Sequence, residues 1–249
     1  MKGSVYLIGA GPGDPGLMTV RGLELLRRAE VVVFDSLVGE EVLREAPASA
    51  EMLDVGKRGG RHKAEQPEIN ALLLEKAMQG RMVVRLKGGD PFLFGRGGEE
   101  AEHLRRHGVE VHVVPGVSAS IAVPALAGVP VTHRTLSSSV TIITGHEGEH
   151  KEEEWLDWAA LARGGGTLVI MMGMSNLGRN MARLMAGGVK DHVPVAIIQD
   201  GSSPSQRIVI SSVGRAEEDC RREGLGAPAV IVVGKVVDLH SVLGALRCA

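Results

Sequence analysis

Short apolar runs alternate with amphipathic stretches along most of the chain, the pattern of strands that are each followed by a helix. Residues 5–9 read as a strand and 9–16 as a loop, and residues 19–29 carry Leu23 and Leu26 on one helical face. Val31–Phe34 is a second buried strand ending at Asp35. A short helix (40–45), a strand (52–55), a basic loop (57–63) and a helix (67–79) come next. A strand from Val83, a helix closing at Gly108 and a strand at 109–114 complete the first half. This alternation predicts a mostly parallel sheet covered on both faces.

Residues 115–134 contain three prolines and many small side chains, and read as a connector with one short helix from about Ser118. A new alternation then begins. Strands are expected at 140–144, 167–172, 195–199, 208–211 and 230–233, with helices near 153–162, 177–186 and 215–223. The expected architecture is α/β in two domains, 1–116 and 136–249, joined by a connector at 117–135. Each domain is expected to be a mostly parallel sheet flanked by helices. A cleft between two such domains is a common place for a small-molecule site.

Composition narrows the function classes. With 249 residues, 44% of them apolar and 23% charged, the chain has the make-up of a soluble globular protein able to bury a real core. A net charge of −2 argues against a general nucleic-acid binder, which needs a basic face. Glycine is abundant at 34 residues and aromatics scarce at 2%, so turns and close backbone approach should build the sites. Cys220 and Cys248 suggest neither a disulfide scaffold nor a zinc knuckle. No stretch reaches the ~20 apolar residues of a membrane span, and residues 9–16 interrupt the N-terminal apolar run before a signal-peptide core is complete. A cytoplasmic protein with no membrane or nucleic-acid partner is expected.

The stretch 83–100, VVRLKGGDPFLFGRGGEE, organises the candidate chemistry as a strand, a tight turn and a helix. Gly88 and Gly89 admit a ligand to the backbone, Asp90 supplies a carboxylate beside it, and Pro91 stiffens the turn. Taken alone, the same residues also read as a plain strand-to-helix turn with Phe92 and Phe94 as core aromatics. The first loop, GAGPGDPG at 9–16, fails as a dinucleotide fingerprint. Asp14 places an anion where a pyrophosphate would sit, and Pro12 deletes an N–H donor. That loop suits a neutral or cationic ligand, or else is merely a tight turn. Asp35, at a strand's C-terminal end, stands where open α/β sheets place ligand contacts, or else caps the following helix. Lys57, Arg58, Arg61, His62 and Lys63 form a basic run, either solvated or suited to a polyanion. The segment HEGEH at 146–150 matches a zinc-protease pattern only literally. It follows a strand and Gly145 and contains Gly148, so a metal-binding helix is not expected there. Glu99, His103 and His107 read as a solvated helix face, and Met171, Met172 and Met174 as core filler.

The ordered series GAGPGDPGLMT, VVVFDSLV, GKRGGRHKAEQPEINALL, VRLKGGDPFLFGRGGEE, PGVSAS, GVPVTHR, TLVIMMGM and PAVIVVG resembles the tetrapyrrole methylase family nearly end to end. The KRGGRH and GGDPFLFGRG segments are similar to its uroporphyrinogen branch. Enzymes acting on later precorrins, on diphthamide or on ribosomal RNA share the first loop and the two-domain plan. The resemblance implies S-adenosyl-L-methionine (SAM) as methyl donor, bound in the inter-domain cleft and leaving as S-adenosyl-L-homocysteine. It also implies a homodimer and a small-molecule tetrapyrrole substrate. Uroporphyrinogen III would be methylated twice, through precorrin-1 to precorrin-2, and the chain would stop at the methylation steps. A same-fold methylase for a later precorrin or another acceptor is the alternative. By matching position, the resemblance implies that Pro12, Gly88, Gly89, Asp90, Leu93, Ser118, Ala119, Met172, Gly201 and Ala229 contact SAM. Asp35 would be the proton acceptor and Lys57 the proton donor. A carboxylate-rich substrate needs cations at the site, for which Arg58, Arg61, Arg96 and Arg134 are the candidates.

Overall fold

The computed structural model describes residues 2–56, 64–146 and 155–244. It divides into two compact units, Met1–Ser118 and Ala119–Ala249. The first holds β1 (Ser4–Gly9), α1 (Val20–Leu26), β2 (Val31–Phe34), α2 (Glu40–Leu43), β3 (Glu51–Asp54), α3 (Gln66–Met78), β4 (Met82–Lys87), α4 (Gly97–Arg106) and β5 (Glu110–Val114). Its five strands lie in the order β3-β2-β4-β1-β5, and every pairing is parallel.

Strand β4 lies inside this sheet between β2 and β1, and its alternating side chains feed two cores. Val84 and Leu86 pack with Ile8, Val32, Leu26 of α1 and Val42 of α2. Val83 joins Val5, Leu7, Val31 and Val33 under Ile69, Leu73 and Ala77 of α3 and Leu104 of α4. Strand β1 leads leftward to β2, whereas β4 leads rightward to β5. The order of the sheet therefore switches between β4 and β1, beside whose C-terminal ends open sheets place their ligands.

The second unit holds α5 (Ala119–Leu126), β6 (Val140–Thr144), α6 (Trp158–Gly164), β7 (Thr167–Met171), α7 (Leu177–Ala186), β8 (Pro194–Gln199), β9 (Arg207–Ser212), α8 (Ala216–Glu223), β10 (Ala229–Val233) and α9 (His240–Leu243). Its strand order is β6-β7-β10-β8-β9. The expectation of a mostly parallel sheet fails here. Only β6 and β7 pair in parallel, while β10 runs antiparallel to both β7 and β8, and β8 runs antiparallel to β9. The reason is chain length: residues 200–206 contain no helix and are too short for a crossover, so β8 and β9 form a hairpin-like pair. Helix α6 begins at Trp158, later than expected, because Asp157 caps it by accepting the N–H of Ala160 at 2.9 Å. Residues Val123, Ala127 and Val129, from the stretch expected as a connector, pack on Val169, Ala196, Ile198, Val230 and Val232 of the second sheet.

At the end of the first sheet three backbones touch. A Cβ on Gly116 would lie 2.2 Å from the Gly89 carbonyl oxygen and 2.6 Å from the Gly9 Cα, so no larger residue fits without moving a strand end. Gly116→Ala is therefore expected to lower stability by about 1–3 kcal/mol through overpacking. Gly98→Ala, on α4 where a Cβ would meet nothing within 4 Å, should stabilise by roughly 0.5–1 kcal/mol. Urea midpoints of the two variants against the native chain check the contrast, and equal midpoints would refute the close-contact account.

Candidate active site

The glycine loops after β1 and β4 meet at the switch point. Gly11 and Gly89 form an isolated antiparallel bridge, with Gly89 N–H donating to Gly11 C=O at 2.7 Å and Gly11 N–H to Gly89 C=O at 3.2 Å. The sequence reading brought Pro12, Gly88, Gly89 and Asp90 to one site, and the structure puts them on adjacent loops of the first unit. Part of the reason differs. Gly9 and Gly116 serve backbone-on-backbone contact with each other and with the Gly89 carbonyl, Gly89 itself adopts φ 67°, and a Cβ on Gly88 would come within 2.8 Å of Leu37 Cβ.

Asp90 is bound from several sides by the chain itself. Its Oδ1 accepts the N–H groups of Phe92 (2.8 Å) and Leu93 (3.2 Å), and its Oδ2 accepts the N–H of Gly116 at 3.1 Å. The carboxylate thus ties the loop after β4 to the end of β5. Asp14 plays a smaller version of this role, accepting the Gly16 N–H at 2.7 Å to start a short helical turn. Phe92 and Phe94 are exposed rather than core aromatics, because the loop that Asp90 folds turns their rings outward.

Asp35 stands at the end of β2, where the sequence placed it. Its Oδ1 accepts the Leu37 N–H at 3.1 Å, and its Oδ2 lies 3.6 Å from Nη2 of Arg85. Arg96 opens α4 and is held to Glu99 by two contacts, at 3.0 and 2.6 Å. The hydrogen bond from Arg96 holds the Glu99 carboxyl below its ordinary range and raises the guanidinium in turn. Glu99 remains on the exposed helix face that was expected, and pairs there with Arg96. Lys57, Arg58 and Arg61 lie outside the described residues, as do His62, Lys63, Cys248 and residues 147–150 of the HEGEH segment. Among the described residues no cluster of His, Cys, Asp and Glu could hold a metal ion.

In the second unit the antiparallel insertion of β10 matters. It brings Ala229, at the start of β10, to the same sheet end as Met172 after β7 and Gly201 after β8. Helix α5, begun by Ala119 just after Ser118, covers that end, since a Cβ on Gly201 would meet Val123 at 2.3 Å. Arg134 is exposed in the turn between α5 and β6. A depression of about 450 Å³ on this unit, lined by residues of α7 and α8 such as Arg179 and Glu217, includes none of the expected residues.

Backbone strain marks the same places. Among the described residues, the non-glycine positions with positive φ are Phe94 (54°), Arg96 (57°), Met172 (52°), Asp200 (49°) and Ser202 (68°). Each is, or adjoins, an expected site residue, and such conformations concentrate at ligand-binding loops because the surroundings must hold them against their cost.

Residues 4–217 match the model of the tetrapyrrole (corrin/porphyrin) methylases. The chain belongs to this family. An S-adenosyl-L-methionine-dependent uroporphyrinogen III methyltransferase of Methanosarcina barkeri is 51% identical over 245 residues, which cover 98% of this chain and 96% of that one. A uroporphyrin-III C-methyltransferase of Thermus thermophilus, solved with S-adenosyl homocysteine, superposes with a TM-score of 0.80 at 39% identity, covering 94% of this chain and 93% of that one. A cobalt precorrin-4 methyltransferase superposes with a TM-score of 0.84 at 32% identity, covering 94% of this chain and 96% of that one.

The sequence reading of this methylase missed the charged cluster under the loop after β4. Arg85 and Lys87 are 3% and 4% exposed, and both bond Glu100, which is fully buried. The available signal was the pair of cations inside the run VVRLK, which broke an otherwise apolar strand. Burial and the adjacent Arg85 charge hold Lys87 below the usual lysine range, with Glu100 pulling the other way.

Asp90→Ala should free three backbone N–H groups and lower stability by about 1–3 kcal/mol. Amide exchange at Leu93 and Gly116 should accelerate together, and unchanged protection at both would show that the carboxylate does not tie these strands.

Proposed function

We propose that this protein is a SAM-dependent C-methyltransferase that converts uroporphyrinogen III, through precorrin-1, to precorrin-2 by two successive methylations. The observation that carries the reading is the 51% identity, over 98% of this chain, to a uroporphyrinogen III methyltransferase. The later-precorrin alternative has the weaker support, since the precorrin-4 enzyme is only 32% identical.

The loops fit the donor chemically. SAM presents a sulfonium cation, an amino-acid head and a nucleoside, and it carries no phosphate. Pro12 offers no N–H, and the carboxylates of Asp14 and Asp90 make the first unit's rim repel phosphate and favour a cation. On the second unit, small Gly201 and Ala229 beside exposed Met172 offer an apolar rim suited to a nucleoside. The reading assigns both rims to the donor: Pro12, Gly88, Gly89, Asp90, Leu93 and Ser118 on one, Ala119, Met172, Gly201 and Ala229 on the other. Asp90 then acts by shaping its loop, because its oxygens already accept backbone N–H groups.

When bound, SAM supplies an electrophilic methyl. The pyrrole carbon that takes it is electron-rich, so alignment is the main demand on the protein. The methylated macrocycle is cationic until it loses a proton, and Asp35 is the carboxylate assigned to accept it. Lys57 is assigned as proton donor, and Arg58, Arg61, Arg96 and Arg134 as partners of the substrate's carboxylates. Arg96 must share its guanidinium with Glu99 to do so. A homodimer, implied by the resemblance, and a cytoplasmic location, expected from the sequence, belong to the same reading.

Incubation with uroporphyrinogen III and SAM should give a product heavier by two methyl groups, read by mass spectrometry. A product of unchanged mass would reject the reading. Asp35→Asn should keep its affinity for S-adenosyl homocysteine by calorimetry yet lose turnover by about 100-fold or more. Native rates in that variant would remove Asp35 from the role of base.

A further inference from the structure

Strand β4 carries two cations: Arg85 lies between Leu7 of β1 and Val33 of β2, and Lys87 lies beside Gly9 of β1. Arg85 and Lys87 are two residues apart, so both project to the face covered by α3 and α4, in line with Val83. Burying ions in a sheet interior costs more than their pairing readily returns, and apolar residues of similar volume often serve stability equally well. Stability alone therefore does not account for this cluster, and a local breach of the apolar rule points to function.

The bonds run in one direction. Glu100 Oε1 accepts from Lys87 Nζ at 3.0 Å, from Arg85 Nε at 3.2 Å and from Gln66 Nε2 at 3.2 Å. Arg85 Nη1 donates to the carbonyls of Leu86 at 3.1 Å and Val33 at 3.4 Å. A planar guanidinium fixed at Nε and Nη1 has no freedom left at Nη2. That nitrogen is the one lying 3.6 Å from Asp35 Oδ2, while Oδ1 is occupied by the Leu37 N–H. Asp35 keeps a side-chain exposure of 27%, so its carboxylate remains reachable from outside while both oxygens are oriented from within.

We propose that Arg85, braced by Glu100, is a positioning residue for methylation, holding Asp35 in the orientation from which Oδ2 accepts the macrocycle's proton. The proposal rests on Asp35 being the proton acceptor. In the step concerned, the bond to the departing proton breaks, its electron pair stays in the macrocycle and cancels the positive charge, and the proton passes to Oδ2. Lys87 is the counterweight that leaves the buried cluster with two cations against two anions.

Met and Lys at position 85 have similar length and shape but differ in charge, so they separate positioning from packing. In SAM-saturated assays, Arg85→Met should lower kcat about ten-fold or more while the KM for uroporphyrinogen III and the affinity for S-adenosyl homocysteine hold within about two-fold. Arg85→Lys should recover part of that loss. The double variant Arg85→Met with Asp35→Asn should be no slower than Asp35→Asn alone, because both act on one step. Overturning results are Arg85→Met with native kcat, Arg85→Lys no better than Arg85→Met, or multiplying effects in the double variant. Each of these leaves the role of Asp35 standing. Asp35→Asn with native turnover removes that role and the present inference with it. Should Arg85→Met fail to fold, Arg85→Lys decides: a kcat-only loss that does not multiply with Asp35→Asn supports positioning, and native kcat refutes it.

Discussion

The first unit depends on three strand ends meeting without side chains between them. Gly9, Gly89 and Gly116 approach so closely that a Cβ added at Gly9 or at Gly116 would lie within 2.2–2.6 Å of backbone atoms of the others. This contact lets the loops after β1 and β4 bridge through Gly11 and Gly89, and it brings the Gly116 N–H within reach of Asp90. The rim is consequently set by the sheet itself. Loops fixed in this way lose little freedom when a ligand arrives, which is the physical content of a preorganised site.

Two further features follow from that constraint. The loop after β4 must turn sharply, and Phe94 and Arg96 adopt left-handed conformations to make the turn. Beneath the loop runs the Arg85–Glu100–Lys87 cluster, whose arginine reaches the carboxylate at the end of β2. The rim and the proposed base are thus joined through one rigid strand. Polar groups of the rim are largely engaged with the chain: Asp90 with three N–H groups, Asp14 with Gly16, Arg96 with Glu99. Recognition then rests on shape and local field more than on unengaged acids and bases.

Much of this was legible in the sequence because each element was locally consistent. Val31–Phe34 has no polar side chain, and the dipeptide breaks at Gly88-Gly89 and Asp90-Pro91 fix where β4 must end. The pairing of the second sheet was not legible. Residues 229–233 form the same apolar run whichever way they point, and only the positions of β7 and β8 decide that β10 runs antiparallel between them. The cluster on β4 escaped for a related reason, since a cation in an apolar strand is acceptable only if a distant carboxylate comes to meet it.

The sequence by itself determined the elements, the α/β class and which residues stand at strand ends, because these follow from periodicity, turn chemistry and alternation over a few neighbouring residues. Tertiary structure decided strand order and direction in the second unit, the engagement of Asp90 by backbone N–H groups, and the meeting of Asp35 with Arg85 across fifty residues of chain. Those outcomes depend on which groups are left without water once the sheets close, and the cost of a buried, unmatched charge or N–H is set by partners that local sequence does not contain.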